Sequence, residues 1–584
     1  MTLIVALFLS FVVAPNAQAD DADTSQAEPA KVESSKEPRS LARFVPADAG
    51  LCVEITNLAA HLDRFYESRL FARFQSFPPL AGFLKSNRAA VQALAEELRE
   101  QTGLSAGEMV HQILGQQVLV AVWPGEAENS SAPGPALALV ECDDAVLLAR
   151  VTGRLLQAER AAGRSVAKSR WQSGLASCDI HRIDVGVSES SLYLAVIDRF
   201  GIVATSETLV TKVLDLRAGK QEAPSLADRA EYRAGMERLN PQAVVRAFLD
   251  PQSWRALIAA HDDSAGEVAP SSGKWLAEQL ASAEYLVLSC EIGERVVAEA
   301  FLQRRHRALV KSADTSGNEA RSRLAERLPA GAAAAFAGRV DLGRLLEIFF
   351  GDRANSGEPE VGSLVLHDQP GLHVLSALIA ERGRNAVAAL LPDESSSTAG
   401  ARATKPAWVV GFDTHSLLPA DRLVLGERLD PVLRATLTAT IMMYNRAGAS
   451  MSIESVEEDG VPLTSVAGLA LMGQGKAATF SLLKGYFWAG TSRDIVRDAA
   501  QLAPAQSLAG DARFQELVNP RITGASHLAY FDLAALRRLM VANSDERVRD
   551  LYGLASLADR LLVELEISPA GIAISATAVA DPAP

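Results

Sequence analysis

The sequence predicts an α+β fold made of two tandem, diverged copies of one antiparallel-sheet domain with packed helices. Three observations carry that expectation. A hairpin–helix unit recurs: residues 204–210 read ATSETLV and residues 490–496 read GTSRDIV, each preceded by two short apolar runs around a two-residue turn. Further anchors follow in the same order in both halves, among them SLADRAEY (225–232) with SLAGDARF (507–514). The strands also arrive in local hairpins and meanders rather than in βαβ alternation, which is the arrangement of an antiparallel sheet with helices segregated to one face.

From the N-terminus, an uncharged apolar run from Leu3 to Val13 is followed by Ala17-Gln18-Ala19 and then Asp20-Asp21. Such a run, too short to span a bilayer and closed by an A-x-A site, is expected to be a secretory signal peptide over 1–19, cleaved after Ala19. No Lys or Arg precedes it, so either the true start lies upstream of Met1 or the signal is a weak one. Residues 20–40 hold six acids, three bases and almost no large apolar side chain, which is expected of a disordered acidic spacer. Copy one is expected at 41–305, a linker at 306–321 and copy two at 322–580.

RFVPADAG (43–50) and RLPAGAAA (327–334) each introduce a short strand and a helix. Leu80, Phe83, Leu84, Val91, Leu94, Ala95 and Leu98 track one helical face before Gly103, predicting a helix over 80–102. Ser105 with Glu108 starts a second, short helix. VLVAVW, between Gly115 and Pro124, matches AVAALL, between Gly383 and Pro392. Two hairpins are then predicted. One joins Tyr193–Ile197 to Phe200–Ala204 through Asp198-Arg199, and the other joins Leu482-Leu483 to Tyr486–Ala489 through Lys484-Gly485. A helix follows each, burying Leu209, Val210, Val213 and Leu214 or Ile495, Val496, Ala499 and Ala500. Thr491 with Asp494 suggests a capping box, and Glu207 suits the first turn of its helix. Leu239-Asn240-Pro241 pairs with Val518-Asn519-Pro520, and Ala247–Asp250 with Ala529–Asp532. The last two strands of copy one lie near Tyr285–Cys290 and Val296–Phe301 and turn through Gly293-Glu294. Loops are expected at 124–135, 260–273, 351–363 and 392–406.

Composition is that of an ordinary globular chain, 48% hydrophobic and 22% charged with a net charge of −14. The acidic balance without a basic stripe argues against nucleic acid as a partner. No later stretch is apolar for long enough to suggest a membrane span after signal cleavage. The one tight basic cluster, Arg304-Arg305-His306-Arg307, reads as a solvated linker edge.

The residues that could carry chemistry have plainer readings. The four cysteines, Cys52, Cys142, Cys178 and Cys290, all fall in copy one, opposite Ala335, roughly Phe412, Thr464 and Leu565. They are read first as buried free thiols, with one or two disulfides as the alternative. No C-x-x-C is present, and no pair among the nine histidines has the helical spacing of a zinc-binding pair. His367 with His373, Asp413 with His415, and the His261-Asp262-Asp263 loop read as surface or singly satisfied groups. Gly473-Gln474-Gly475-Lys476 lacks the first glycine and the Ser/Thr of a phosphate loop. Ser481-x-x-Lys484 and Ser165-x-x-Lys168 have the spacing of a penicillin-recognising nucleophile pair, but Ser481 falls in a predicted strand, where residues three apart face opposite sides. No catalytic, cofactor-binding or metal-binding residue is therefore assigned.

V-P-A-D-A-G at 45–50, L-S-x-x-E…I-L-G-x-x-V-x-V-A-V at 104–122 and the hairpin–A-T-S–helix–S-L-A unit together resemble a family of exported bacterial proteins catalogued only as a domain of unknown function. The resemblance covers most of copy one and the C-terminal half of copy two, and 343–380 departs from it. It implies export and tandem α+β copies, with no reaction and no catalytic residues. The leading expectation is an exported, non-enzymatic envelope protein that binds a partner protein or fills a structural role. A periplasmic carrier of an apolar ligand is the alternative, and a hydrolase with an unrecognised site the weaker one.

Overall fold

The structure, a computed structural model, describes residues 40–76, 95–125, 134–174, 176–184, 191–220, 224–255, 279–305, 325–340, 384–393, 405–413, 450–467, 478–483, 485–522, 525–541, 556–568 and 570–581, with isolated helical positions between 86 and 93 and between 431 and 446. The expected signal peptide and all but the last residue of the spacer lie outside these residues, as do His261, His367, His373, His415, Lys484 and Gly473–Lys476. The fold is α+β with antiparallel sheet. It divides into two compact units, Met1–Ser312 with Ser568–Ala573 and Ala313–Ile567 with Ile574–Pro584.

In the first unit the strands are β1 Leu51–Thr56, β2 Gln117–Val122, β3 Ala136–Glu141, β4 Val166–Ser173, β5 Ala176–Asp184, β6 Ser191–Ile197, β7 Phe200–Ala204, β8 Val245–Leu249, β9 Ala283–Ile292 and β10 Arg295–Arg304. Every pairing among them is antiparallel, in the order β4-β5-β6-β7-β3-β2-β1-β8-β9-β10. Alternation sorts β1 cleanly: Cys52, Glu54 and Thr56 are buried, while Leu51, Val53 and Ile55 are half-buried on the other face. The core forms where Cys52, Leu119, Leu139, Ile202 and Phe248 meet the buried face of the helix Glu207–Arg217. That helix buries Leu209, Val210, Val213 and Leu214, the four residues its periodicity selects, and carries Glu207 in its first turn. A second cluster packs Leu104, Met109 and Ile113 against Leu147, Leu148 and Val151 of the helix Ala145–Ala161, and Leu98 leans on it. Of the helix expected over 80–102, residues 95–102 are described and helical. The short helix at Ala106–Met109 opens on the expected capping box, Ser105 with Glu108.

In the second unit the strands are β11 Ala334–Val340, β12 Arg384–Asp393, β13 Lys405–Asp413, β14 Ser452–Glu458, β15 Val461–Ala467, β16 Ala478–Leu483, β17 Tyr486–Gly490, β18 His527–Asp532, β19 Arg560–Ile567 and β20 Gly571–Val579, the last falling in this unit from Ile574 onward. Their order is β14-β15-β16-β17-β13-β12-β11-β18-β19-β20. The core gathers Val409, Leu463, Trp488, Phe514 and Tyr530 around the helix Arg493–Ala500. Two sequence expectations change here. The cap of this helix is Ser492, whose hydroxyl accepts from Ile495 N, because the Thr491 hydroxyl already accepts the Trp408 amide at 3.3 Å. Residues 392–393 and 405–406, expected in a loop, belong to β12 and β13, with Pro392 opposite Pro406.

Candidate functional site

The polar centre of the first unit begins with one acidic residue in an apolar strand. Glu54 sits between Val53 and Ile55, and alternation turns it inward, leaving it 1% exposed. An ionised carboxylate taken out of water needs several donors to hold its charge. Glu54 Oε1 accepts from Ser40 Oγ at 2.8 Å, Gln117 Nε2 at 2.7 Å and Leu41 N at 3.2 Å. Its Oε2 accepts from Arg246 Nη2 at 2.9 Å, across the β1–β8 ladder where the two residues are direct register partners. Ser40 also caps the 3-10 turn Leu41–Phe44, and its hydroxyl lies 3.5 Å from that of Tyr232. Burial pushes the Tyr232 phenol well above its ordinary value. It does the same to the Cys52 thiol, and Glu54 adds to that second shift.

Arg246 also lines a cavity of about 510 Å³, together with Thr56, Asn57, His61, Arg64, Pro241, Gln242 and Glu291. Three pieces of chain build its wall. β1 ends at Thr56, whose hydroxyl donates to Ala243 O, and the chain turns through Asn57 in the left-handed region (φ 51°), which asparagine tolerates better than most residues. The turn aims the helix Leu58–Glu67 so that His61 and Arg64, three residues apart, face one side. Asn240 braces two lining residues from behind: its side chain donates to Glu291 Oε2 at 2.8 Å and accepts from Gln242 N at 3.0 Å. His61 is 8% exposed, and its Nδ1 lies 3.3 Å from Ile292 O. A carbonyl can only accept, so Nδ1 carries the proton and Nε2 is the ring atom left for another group. The lining thus combines two guanidinium groups, one imidazole and one carboxylate.

A second cavity, about 470 Å³, lies among Arg43, Phe44, Glu141, Asp198, Arg199, Phe200 and Arg217. Its cations are largely engaged: Arg217 pairs with Asp198 at 2.7 Å, and Arg199 donates to Asp143 and, at 3.0 Å, to Cys142 O.

The residues singled out from sequence fall elsewhere. Ser481 is buried in β16 opposite Trp488, and its hydroxyl has no hydrogen-bond partner among the described residues. Ser165 is exposed just before β4, and Lys168 pairs with Asp179 at 2.7 Å. Asp413 stands opposite Tyr486 at the end of β13. Arg304 donates to Gln279 Oε1 at 3.1 Å. All four cysteines are free thiols; Cys52, Cys142 and Cys178 are buried and Cys290 half-buried. The Cys142 thiol donates to Gln112 O at 3.1 Å, and burial raises its ionisation above the ordinary thiol value.

Glu54, Arg246, His61 and Arg64 were not among the sequence candidates. The available signal was a charge at an inward position of an apolar strand, in LCVEIT (51–56) and again in VRAFL (245–249). No family model, curated protein or solved structure matches the chain.

Proposed function

We propose that this is an exported, non-enzymatic envelope protein with a partner-binding or structural role, built from two diverged copies of one sheet domain. The observation that supports the duplication is the strand order. Written with β1–β10 and β11–β20 in corresponding places, the two units list their neighbours identically.

Details follow the same correspondence. Leu226 N donates to Val45 O at 2.7 Å and Leu508 N to Leu328 O at 2.7 Å, so each S-L-A segment clamps the proline segment that opens its unit. The bridges Pro46–Ser225 and Pro329–Ser507 repeat this. Thr205 Oγ1 accepts Ala136 N as Thr491 Oγ1 accepts Trp408 N, which gives the recurring threonine one job in both copies. The Asn-Pro turns are each tied to a carboxylate, Asn240 N to the half-buried Glu299 of β10 and Asn519 N to the buried Glu564 of β19, on neighbouring rather than corresponding strands.

Register also refines the residue matches. Thr464 stands opposite Phe480 as His181 stands opposite Leu194, so Thr464 corresponds to His181 and not to Cys178. Phe412 opposes Phe487 as Val140 opposes Gly201, so Phe412 corresponds to Val140 and not to Cys142. Polar side chains differ freely between copies while backbone pairing persists, as packing constraints alone would allow. The sealed hydroxyl of Ser481, whose counterpart is Ala195, supports the non-catalytic part of the reading.

The test is co-purification of the native protein from the cell envelope after cross-linking, with mass spectrometry of proteins and lipids. Recovery of a stoichiometric protein partner supports the reading. Stoichiometric labelling of any serine by a fluorophosphonate overturns it. The apolar-carrier alternative has one observation of its own. The face opposite the core carries the row Val120, Val53, Ala247 and Leu288, with Leu288 43% exposed, and the second unit has Phe336, 37% exposed, in the corresponding row. Lipid recovered in place of protein would favour the carrier.

A further inference from the structure

We propose that the cavity beside Arg246 is a binding site for a small oxyanion, a carboxylate or phosphate group, and that it belongs to the first unit alone. The inference rests on the reading that the two units are copies, because the second unit then serves as a built-in control. In the first unit the inward row across β2, β1, β8 and β9 is Leu119, Glu54, Arg246 and Ser289. The corresponding row in the second unit is Val387, Ala337, Leu528 and Glu564. Where one unit buries an ion pair, the other buries Ala337 and Leu528, both within its core. The fold therefore closes without the pair. Buried ion pairs are seldom more stabilising than apolar residues of similar volume, so stability alone does not account for Glu54 and Arg246.

What distinguishes the pair is its position. Arg246 gives Glu54 one hydrogen bond, from Nη2, which orients the guanidinium, and its side chain lines the cavity while Nε stays buried. Arg64 enters the same cavity and has no ion-pair or hydrogen-bond partner among the described residues. A planar guanidinium held by a carboxylate presents its remaining N–H groups as a fork that suits two oxygens of one anion. Glu291, on the far wall, suits a hydrogen-bond donor on the same molecule and sets a limit on its negative charge. The class is thus a small molecule with one oxyanion group and a hydroxyl or amino group, in a volume typical of ligand sites.

The experiment is isothermal titration of the purified full-length chain with inorganic phosphate, acetate and glycine, each against sodium chloride at equal ionic strength. Two variants accompany it: Arg64→Gln, and the double substitution Glu54→Ala with Arg246→Leu, which installs the second unit's pair. The expected result is saturable binding of at least one probe, weakened at least tenfold in both variants. Phosphate binding above acetate identifies a phosphate ligand; acetate or glycine above phosphate identifies a carboxylate. No saturable binding of any probe, or unchanged binding in Arg64→Gln, overturns the proposal. If the double variant fails to fold because Ser40, Gln117 and Leu41 N lose their acceptor, Arg64→Gln alone decides the oxyanion site.

Discussion

Replacing Ser481 with alanine should stabilise the protein. The side chain is 2% exposed, its neighbour Trp488 is 1% exposed, and its hydroxyl has no partner among the described residues. A hydroxyl buried without a partner costs about 1–3 kcal/mol. Removing the oxygen leaves a gap smaller than a methyl group, and a methyl-sized void costs about 1 kcal/mol. The net expectation is a gain of about 1 kcal/mol, or roughly 2–4 °C in melting temperature for a domain of this size. On the proposed duplication the corresponding position in the first unit is Ala195, fully buried, which would make the site one that accommodates the smaller side chain. Differential scanning calorimetry of the full-length chain reads the second unit's transition directly. A fall in that transition by a degree or more would mean that the Ser481 hydroxyl is bonded, and the reasoning would be refuted. The reverse substitution, Ala195→Ser, should lower the first unit's transition.

Glu54→Ala alone should cost about 3–5 kcal/mol in urea unfolding, because it strands Arg246 together with the Ser40, Gln117 and Leu41 donors, whereas adding Arg246→Leu should recover only the part due to the stranded guanidinium. Equal cost for single and double variants would contradict the ion-pair account. Asp250 is pushed up by burial, but the Arg229 guanidinium at 2.8 Å prevails and holds it below the ordinary carboxyl value. Its contribution is therefore complete above the unfolded value and is lost as pH falls through the lower folded value. Stability of Asp250→Asn should then vary less than wild type below about pH 4, and parallel acid limbs would count against this. Denatured protein should titrate as four free thiols, and reductant should leave the melting temperature unchanged. A drop worth about 2–5 kcal/mol would reveal a disulfide.

Local structure was legible in the sequence wherever it rests on neighbours in the chain. The Tyr193–Ala204 hairpin, the four buried residues of its following helix and the Ser105–Glu108 cap all follow from spacing and turn chemistry. Their physical causes lie within a few residues. The polar centre was not legible, because Glu54 and Arg246 are 192 residues apart and meet only through the β1–β8 ladder. Either charge alone reads as a lapse in an apolar strand. Thr491 was misplaced as a cap for a related reason: the group that claims its hydroxyl, the Trp408 amide, lies 83 residues away. On the reading that the units are copies, the matches to Phe412 and Thr464 are slipped by two or three residues, because apolar strands align equally well in several registers. Hydrogen-bond register removes that freedom.

The central claim is that both units are one sheet used twice, and paired cysteines test it most directly. Val53 faces Ala247 across β1–β8, and Phe336 faces Ala529 across β11–β18, at corresponding places in the two orders. Opposed residues in antiparallel strands lie about 4.5–5.5 Å apart, within the reach of a disulfide. Two double-cysteine variants, Val53→Cys with Ala247→Cys and Phe336→Cys with Ala529→Cys, would be oxidised and mapped by peptide mass spectrometry. The account predicts one cross-linked peptide of the designed pairing in each. Closure of the first pair with none in the second would contradict the claim.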